Sequence, residues 1–477
     1  MITYICLILT SFASCFARNA SFTWFVAMVL GLAIRTDKLG VTSVVRDLSL
    51  KPEAYTCLLH FFKADSWRLS EIRQCWYRAI RNFIPLLKET ERFLLVADGV
   101  KQSKEARRMP GVKRLHQESE TQTKPDTIFG HMWGGVGVLA GVLGKMACIP
   151  ASLRIHDGLQ DAAEWEGSWL SAESHVVQMI RNCCEAAQVI GHSFALMDRY
   201  FLSVPALMTL REENKRNSFG VEMITKAKKS CVAYREPPPR VPGQKGRPRL
   251  KGECVKVATL FETMKSAFVP ARIEMYGKLQ DVCFYCIDLL WGKKLYQPLR
   301  FVLVKMGATN SILVSTRLDL DPETIIRLYS YRFRIETMFR ELKQQIGGFA
   351  YRFWTKSLAK LNHFRKKTEP SPLASITLEK DRGNILRAVR AIEMHALVAS
   401  IAMGIVQAVS LKCADSLAEM YRWQRTPCKE KPSEANVMHC LRRQLYAVLA
   451  KSSKNSILHL IQQHQTSPWG DSDSWVA

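Results

Sequence analysis

The chain has 477 residues, which is too long for one hydrophobic core and predicts about three domains at roughly 100–200 residues each. Its composition, 47% apolar and 23% charged, is ordinary for a soluble globular protein. The formal net charge is +25, and so many positive charges repel each other in a compact fold. We therefore expect an anionic partner. Nucleic acid is the first candidate and an anionic membrane surface the second.

Residues 1–90 have a helical pattern and are predicted to form an N-terminal DNA-binding region. The apolar stretch 1–34 has no Lys or Arg among its first six residues, and Arg18 and Asn19 interrupt it. Buried helices therefore suit this stretch better than a targeting or membrane segment. Two short helices follow from Gly40 and Lys51, with Pro52 in the first turn of the second. They fit a helix-turn-helix or any other small helical bundle.

Residues 91–220 are predicted to form the first part of an α/β core. The apolar run from Arg92 ends on Asp98 and a glycine, which indicates a buried strand with a carboxylate at its C-terminal tip. Further strands are predicted near 132–143 and 145–153, and a helix over about 171–189. Another apolar run then ends on Asp198. Strands, a helix and a strand in this order indicate a mixed sheet.

Residues 221–311 are predicted to be a β-rich insertion, because strand-like alternation recurs at 221–234, 255–261, 272–291 and from 301. A loop at 237–252 is rich in Pro, Gly and basic residues, including Lys245, Arg247 and Arg249. Proline keeps such a segment extended, and its basic side chains suit the narrow minor groove of DNA. We therefore expect that this loop contacts DNA. A solvated basic loop is the equal alternative.

Two features of the insertion have structural interpretations that we favour. Cys283 and Cys286 form the one close C-x-x-C pair, but no second pair or Cys/His cluster follows, so buried thiols are preferred over zinc. Trp291 fits a buried strand position better than a base-stacking role.

Residues 312–355 are predicted to complete the core with a last strand and a long helix. Asp321 can cap that helix, Pro322 suits its first turn, and Gly347 and Gly348 end it. At 100° per residue, its polar side chains at four positions form a stripe about 60° wide that borders the apolar face. These residues are Tyr329, Arg332, Glu336 and Lys343.

The chemistry expected of this stripe depends on the two aspartates. Phosphodiester cleavage with two metal ions needs several carboxylate oxygens at one point. Asp98 and Asp198 from neighbouring strands, with Glu336 from a packed helix, would supply them. The alternative is an amphipathic helix with surface ion pairs between Glu336 and nearby arginines.

The spacing Tyr329-x2-Arg332-x3-Glu336-x6-Lys343 resembles the Y-R-E-K motif of the DDE transposases of bacterial insertion sequences with a β-rich insertion. Asp98-Gly99 after an apolar strand and the segment 347–354 also resemble that family, over roughly residues 20–400. The resemblance implies an RNase H-like core and assigns the three acids as ligands of Mg²⁺, or alternatively Mn²⁺. The family commonly has a small residue two positions after the second acid, where this chain has Tyr200.

The resemblance also implies roles and partners. Tyr329, Arg332 and Lys343 would hold phosphates of the transposon end. The partners would be transposon-end DNA with terminal inverted repeats and target DNA, bound by a homodimer in the bacterial cytoplasm, on the nucleoid. Cut-and-paste transposition is expected, with or without a hairpin step. A catalytically inactive DNA-binding derivative and a structure-specific nuclease are the alternatives.

Residues 356–477 are predicted to form a helical C-terminal region that serves dimerisation. Its apolar run 392–410 carries Glu393, His395 and Gln407, so a core or interface helix is favoured over a membrane span. No membrane partner is expected.

Overall fold

The structure is a computed structural model that describes residues 1–37, 40–117, 126–142, 144–239, 247–362, 369–420, 431–449 and 457–466. Helices form the N-terminal and C-terminal regions, and a large mixed sheet lies between them. This confirms the predicted α/β class with helical flanking regions.

Thirteen strands, counted over the described part of the chain, join in one sheet. They are β1 (Lys88–Glu89), β2 (Arg92–Ser103), β3 (Lys113–His116), β4 (Thr127–Val142), β5 (Lys145–Ile155), β6 (Ser193–Met197), β7 (Val221–Lys226), β8 (Val232–Tyr234), β9 (Cys254–Lys256), β10 (Val269–Met275), β11 (Lys278–Trp291), β12 (Gln297–Met306) and β13 (Thr309–Ser315).

The α-helices of the described residues lie mainly on either side of these strands in sequence. They are α1 (Ile2–Thr10), α2 (Asn19–Ile34), α3 (Val41–Asp47), α4 (Ala54–Lys63), α5 (Leu69–Phe83), α6 (His175–Ile190), α7 (Val204–Arg216), α8 (Leu260–Thr263), α9 (Pro322–Ser330), α10 (Arg334–Glu341), α11 (Glu379–Lys412), α12 (Ala414–Ala418), α13 (Glu434–Leu449) and α14 (His459–Gln462).

The centre of the sheet has the strand order β5-β4-β2-β6-β7. β2 pairs antiparallel with β4, and β4 pairs antiparallel with β5. β2, β6 and β7 run parallel. The carboxyl ends of these three strands therefore share one edge of the sheet.

The prediction that the first strand ends at Asp98 is wrong. β2 continues to Ser103 because β4 is long enough to pair with it as far as Ser103↔Gly130. Its parallel neighbour β6 stops at Met197, opposite Ala97. Asp98 consequently lies inside a strand, but at the position where the parallel ladder ends.

The sheet continues without a break into the insertion. β7 pairs antiparallel with β13, which leads through β12 to β11. The strand predicted over 255–261 is shorter, because β9 ends at Lys256 and helical turns with buried Leu260 and Phe261 follow. Cys283 is exposed and Cys286 half-buried, so the expectation of buried thiols fails for this pair.

The predicted helix 321–347 is interrupted, and the prediction of one continuous α-helix is wrong. Asp321 caps α9 through Thr324 N at 2.9 Å and Pro322 opens it, as predicted. A 3₁₀ turn at Tyr331–Phe333 separates α9 from α10. Just before this turn, the Ser330 hydroxyl donates to the Arg327 carbonyl and so competes with the backbone amides for that acceptor. A π turn, Leu342–Ile346, then ends at left-handed Gly347.

The longest described helix, α11, lies inside the protein. It is long and apolar enough to cross a membrane by length and composition, but 94% of its most apolar window is buried. It packs on β5, α2 and α4. The core-helix interpretation of 392–410 is confirmed, and so is the burial of α2.

Candidate active site

Asp98 and Asp198 follow aligned positions on two neighbouring parallel strands. Ala97 of β2 is paired with Met197 of β6. The residue that follows each of them is an aspartate, so both aspartates lie at the same edge of the sheet. The Asp98 carboxylate accepts a hydrogen bond from Gly99 N at 2.7 Å. Thr225 Oγ1 donates to the Asp198 carbonyl at 2.8 Å and ties that turn to β7. Two carboxylates from distant parts of the sequence are thereby fixed at one sheet edge.

Arg332 connects the Glu336 helix to this edge. Its Nη1 donates to Asp98 Oδ2 at 3.0 Å, and its Nη2 donates to Glu336 Oε1 at 2.9 Å. The Arg332 side chain is 18% exposed, whereas Glu336 is 47% exposed. The guanidinium therefore lies between two of the three predicted acids.

The electrostatics of Asp98 reflect this crowding. Burial raises its pKa from 3.8 to about 6, although Arg332 and the Gly99 amide oppose the rise. The charges of Asp198 and Glu336 raise the pKa further. All three acids are thus close enough to interact, with one arginine offsetting part of their charge.

Tyr329 and Lys343 lie on the same helical segment but in different surroundings. Tyr329 is half-buried, and burial raises its pKa to about 12, with Arg332 opposing. It is therefore a neutral hydroxyl at physiological pH. Lys343 lies in the π turn, with its Nζ 5.9 Å from the centre of the Phe349 ring.

The acids suit a divalent metal ion by donor type, since carboxylate oxygens are the ligands that Mg²⁺ and Mn²⁺ prefer. Within the described ranges, however, no three His, Cys, Asp or Glu side chains converge closely enough to form a metal-binding group. The position of Arg332 between Asp98 and Glu336 gives a physical reason. The donor set fits the ion, and the side chains would have to rearrange to hold it.

The other predicted contact residues are spread over the insertion. Arg247 and Arg249 are exposed, and Lys245 lies outside the described residues. Trp291 is half-buried at the end of β11 and packs against the apolar core. Its packing agrees with a structural role.

Two residues near the acids were missed by the sequence interpretation. Lys226 is the last residue of β7, at the shared edge. Burial and the charge of Arg199 lower the pKa of Lys226, and the nearby charge of Asp198 partly opposes this. Tyr276, at the β10–β11 turn, is 59% exposed, has φ +54° and influences Tyr329 electrostatically. The rule that parallel strands share their carboxyl edge could have found Lys226. Nothing local identifies Tyr276.

Residues 171–362 match the family model described as the transposase DDE domain. The match spans less than half of the 477-residue chain; it includes Asp198 and the helix of Glu336, but begins after Asp98. A search of curated proteins finds no match. The domain match supports a transposase function, and with it transposition and DNA recombination by a mobile element.

Proposed function

We propose that this protein is a metal-dependent DDE transposase of an insertion sequence, with Asp98, Asp198 and Glu336 as its catalytic carboxylates. The observation that carries the proposal is the meeting of residues far apart in sequence. Asp98 and Asp198 follow paired positions on β2 and β6, and Arg332 links Asp98 to Glu336. A helix with ordinary surface ion pairs would not need this convergence.

The strand arrangement supports an RNase H-like core. Three antiparallel strands followed by two parallel ones, in the order β5-β4-β2-β6-β7, is the pattern expected of that fold. On this proposal β7 belongs to the core, so the β-rich insertion predicted over 221–311 begins only after Lys226, and the core's final part is 312–355. The helical regions 1–90 and 356–477 would serve DNA binding and dimerisation.

The chain's own residues have distinct roles in the proposed cleavage. Asp98, Asp198 and Glu336 would hold Mg²⁺, with Mn²⁺ as the alternative. The bound ions would activate the attacking water or hydroxyl and stabilise the leaving oxygen. Arg332 offsets part of the charge of Asp98 and Glu336, and its planar guanidinium would be free for a DNA phosphate once other positive charge reaches those acids.

Neighbouring side chains would position the DNA. Tyr329 presents a neutral hydroxyl, and Lys343 a point charge, along the same segment as Arg332. Arg247 and Arg249, with Lys245, would contact the duplex from the insertion. Tyr276, exposed beside Tyr329, is a stronger candidate for stacking on a base than half-buried Trp291.

The proposed reaction is cut-and-paste transposition. Hydrolysis at the terminal inverted repeats frees a 3′-OH, which then joins to target DNA. We propose that a homodimer holds the paired ends, in the bacterial cytoplasm in association with the nucleoid. The charge of +25 suits two DNA partners.

Replacing Glu336 with Gln tests the catalytic assignment. The change keeps the side chain's size but removes the charge, so cleavage of a terminal-repeat duplex in Mg²⁺ should fall by at least about a hundredfold while DNA binding persists. Glu341→Gln is the matched control, because Glu341 is on the same helix and pairs with Arg340 at 3.0 Å. Cleavage that survives in Glu336→Gln would remove Glu336 from the site.

The same assay separates the alternatives. A structure-specific nuclease would cut branched DNA without regard to the terminal repeat, and an inactive derivative would bind the repeat without cutting it. Joining of the cleaved 3′ end to a second duplex is the outcome that only the transposase proposal expects.

A further inference from the structure

A cavity of about 550 Å³ lies away from the proposed active site, between α5, β5, α6 and α11. Its lining includes four arginines, Arg68, Arg73, Arg154 and Arg390, and two tryptophans, Trp67 and Trp169. None of the residues that line it belongs to the proposed catalytic set. Four cations on one cavity wall require a source of negative charge.

The two carboxylates in the wall are already engaged. Glu185 forms ion pairs with both Arg73, at 3.7 Å, and Arg154. Glu393 accepts from Ile155 N at 3.0 Å and from Trp169 Nε1 at 3.1 Å. The charge of Glu393 also acts on Arg73 and Arg154. The wall therefore has four arginines against two carboxylates, and Arg68 pairs with Glu71, outside the wall, at 3.6 Å.

Two of the arginines also have unused buried donors. The Nε atoms of Arg154 and Arg390 are buried and have no hydrogen-bond partner among the described residues. A buried N–H without an acceptor is costly, and more so when it carries charge. Arg390 is otherwise held by exposed Asp65, at 2.5 Å, and lies 5.4 Å from the centre of the Trp67 ring. The Nε donors of Arg154 and Arg390 are thus unsatisfied, although other atoms of both guanidinium groups form ion pairs.

The cavity opens where α5 begins. Arg68 is the N-cap of α5, makes no side-chain cap and is 80% exposed, and Leu69 and Ser70 also line the wall. The first-turn amides of a helix add to a field that favours anions. Trp169 is 41% exposed. The site is therefore accessible as well as cationic.

We propose that this cavity binds a phosphate group. Guanidinium donors from separate elements suit a tetrahedral oxyanion, which would offset the positive charge that the two carboxylates of the wall leave unbalanced. The phosphate could belong to a DNA strand or to a soluble phosphate compound. Both sources share this chemistry.

Calorimetric titration with inorganic phosphate at constant ionic strength tests the proposal. Wild-type protein should bind phosphate saturably, and Arg154→Gln should weaken binding roughly tenfold or more. Arg68→Gln, at an exposed position that does not endanger folding, should weaken it roughly threefold or more. Arg216→Gln is the matched control, since Arg216 is 66% exposed on α7 and lies outside the cavity wall. Circular dichroism checks that each variant is folded.

Titration with a DNA duplex distinguishes the two sources. Loss of phosphate binding together with a shallower salt dependence of DNA affinity in Arg68→Gln and Arg154→Gln supports a DNA phosphate. Loss of phosphate binding alone supports a soluble ligand. No saturable binding by wild-type protein, or equal binding by wild type and both variants, would overturn the proposal. The assay needs no cleavage, so its outcome is independent of the proposed function.

Discussion

At the scale of single residues, Arg332 has the most consequential position. It bridges Asp98 and Glu336 with hydrogen bonds of 3.0 and 2.9 Å while only 18% exposed. A cation between two carboxylates lowers their mutual repulsion in the absence of other positive charge. Because the same side chain is proposed to hold a DNA phosphate, DNA and the carboxylates would compete for it.

Asp98→Asn should stabilise the protein in the absence of metal. The pKa of Asp98 is raised in the folded state from 3.8 to about 6, so its ionised form costs stability above pH 6 and the cost vanishes as pH falls towards 4. The Asp98 side chain is 27% exposed, so solvent screening reduces the effect. The free energy of unfolding should rise by on the order of 1–3 kcal/mol at pH 7.5 and by roughly half of that at pH 5. Urea unfolding with a chelator measures it.

The matched control for that change is Asp281→Asn, because the Asp281 side chain is 91% exposed. It should leave the unfolding free energy unchanged at both pH values. A destabilised Asp98→Asn protein would mean that the ion pair with Arg332 outweighs the burial of the carboxylate.

Lys343→Ala should weaken binding to the transposon end in a salt-dependent way. If Lys343 holds a phosphate, as proposed, its removal lowers the slope of log affinity against log salt by about 1. Lys343→Arg keeps the charge and should restore most of the slope. Fluorescence anisotropy over a series of salt concentrations measures both variants, and an unchanged slope in Lys343→Ala would exclude this contact.

At the scale of elements, the sequence predicts what local patterns determine. Asp321 and Pro322 begin α9 as expected, and apolar runs place β2 and β6 ahead of the two aspartates. The extension of β2 to Ser103 depends instead on pairing with β4, which is a long-range contact. The 3₁₀ turn after Ser330 likewise comes from a side-chain hydrogen bond that hydrophobic periodicity does not register.

The candidate site divides in the same way. The two aspartates follow from the apolar runs that precede them, and the pairing of Arg332 with Glu336 follows from their spacing of four residues on a helix. The contact of Arg332 with Asp98 spans 234 positions, and Tyr276 reaches Tyr329 only because the β10–β11 turn lies beside α9. Such contacts depend on the tertiary arrangement, which a sequence read segment by segment does not contain.

Gly347→Ala should destabilise the end of the helical segment that carries Glu336. Gly347 has φ +66°, and an added Cβ would lie 2.7 Å from Arg35 Nη1, which donates to the Ile346 carbonyl at 2.9 Å. The left-handed backbone and the clash together should cost roughly 1–3 kcal/mol in urea unfolding. Gly383→Ala, in helix α11 with nothing within 4 Å, should instead stabilise by about 0.5–1 kcal/mol. Equal effects of the two changes would argue against the strained turn.

At the scale of the whole molecule, the core contains histidines that burial keeps neutral. His131 is fully buried between the Tyr351 hydroxyl at 2.6 Å and the Pro110 carbonyl at 2.8 Å. His395, on α11, lies against Phe62 and Phe353. Burial lowers the pKa of each to about 3. They join the sheet, α4 and α11 in one apolar core, so their protonation affects the whole fold.

Stability should therefore fall as pH drops below 6.5. A histidine whose pKa is depressed in the folded state stabilises the fold above its unfolded pKa, and this contribution is lost progressively between pH 6.5 and about 3. Between pH 7.5 and 5.5, each of the two histidines should lower the free energy of unfolding by about 1.4 kcal/mol. The protonation of Asp98 over the same range should raise it by less than about 1 kcal/mol. His395→Met should reduce the measured drop by about 1.4 kcal/mol, whereas replacing exposed His60 with Asn should leave it unchanged. Urea unfolding at the two pH values measures this difference. If the free energy of unfolding falls equally in wild type and His395→Met, water reaches the His395 ring. Helix α11 would then pack less tightly against the sheet than its burial indicates.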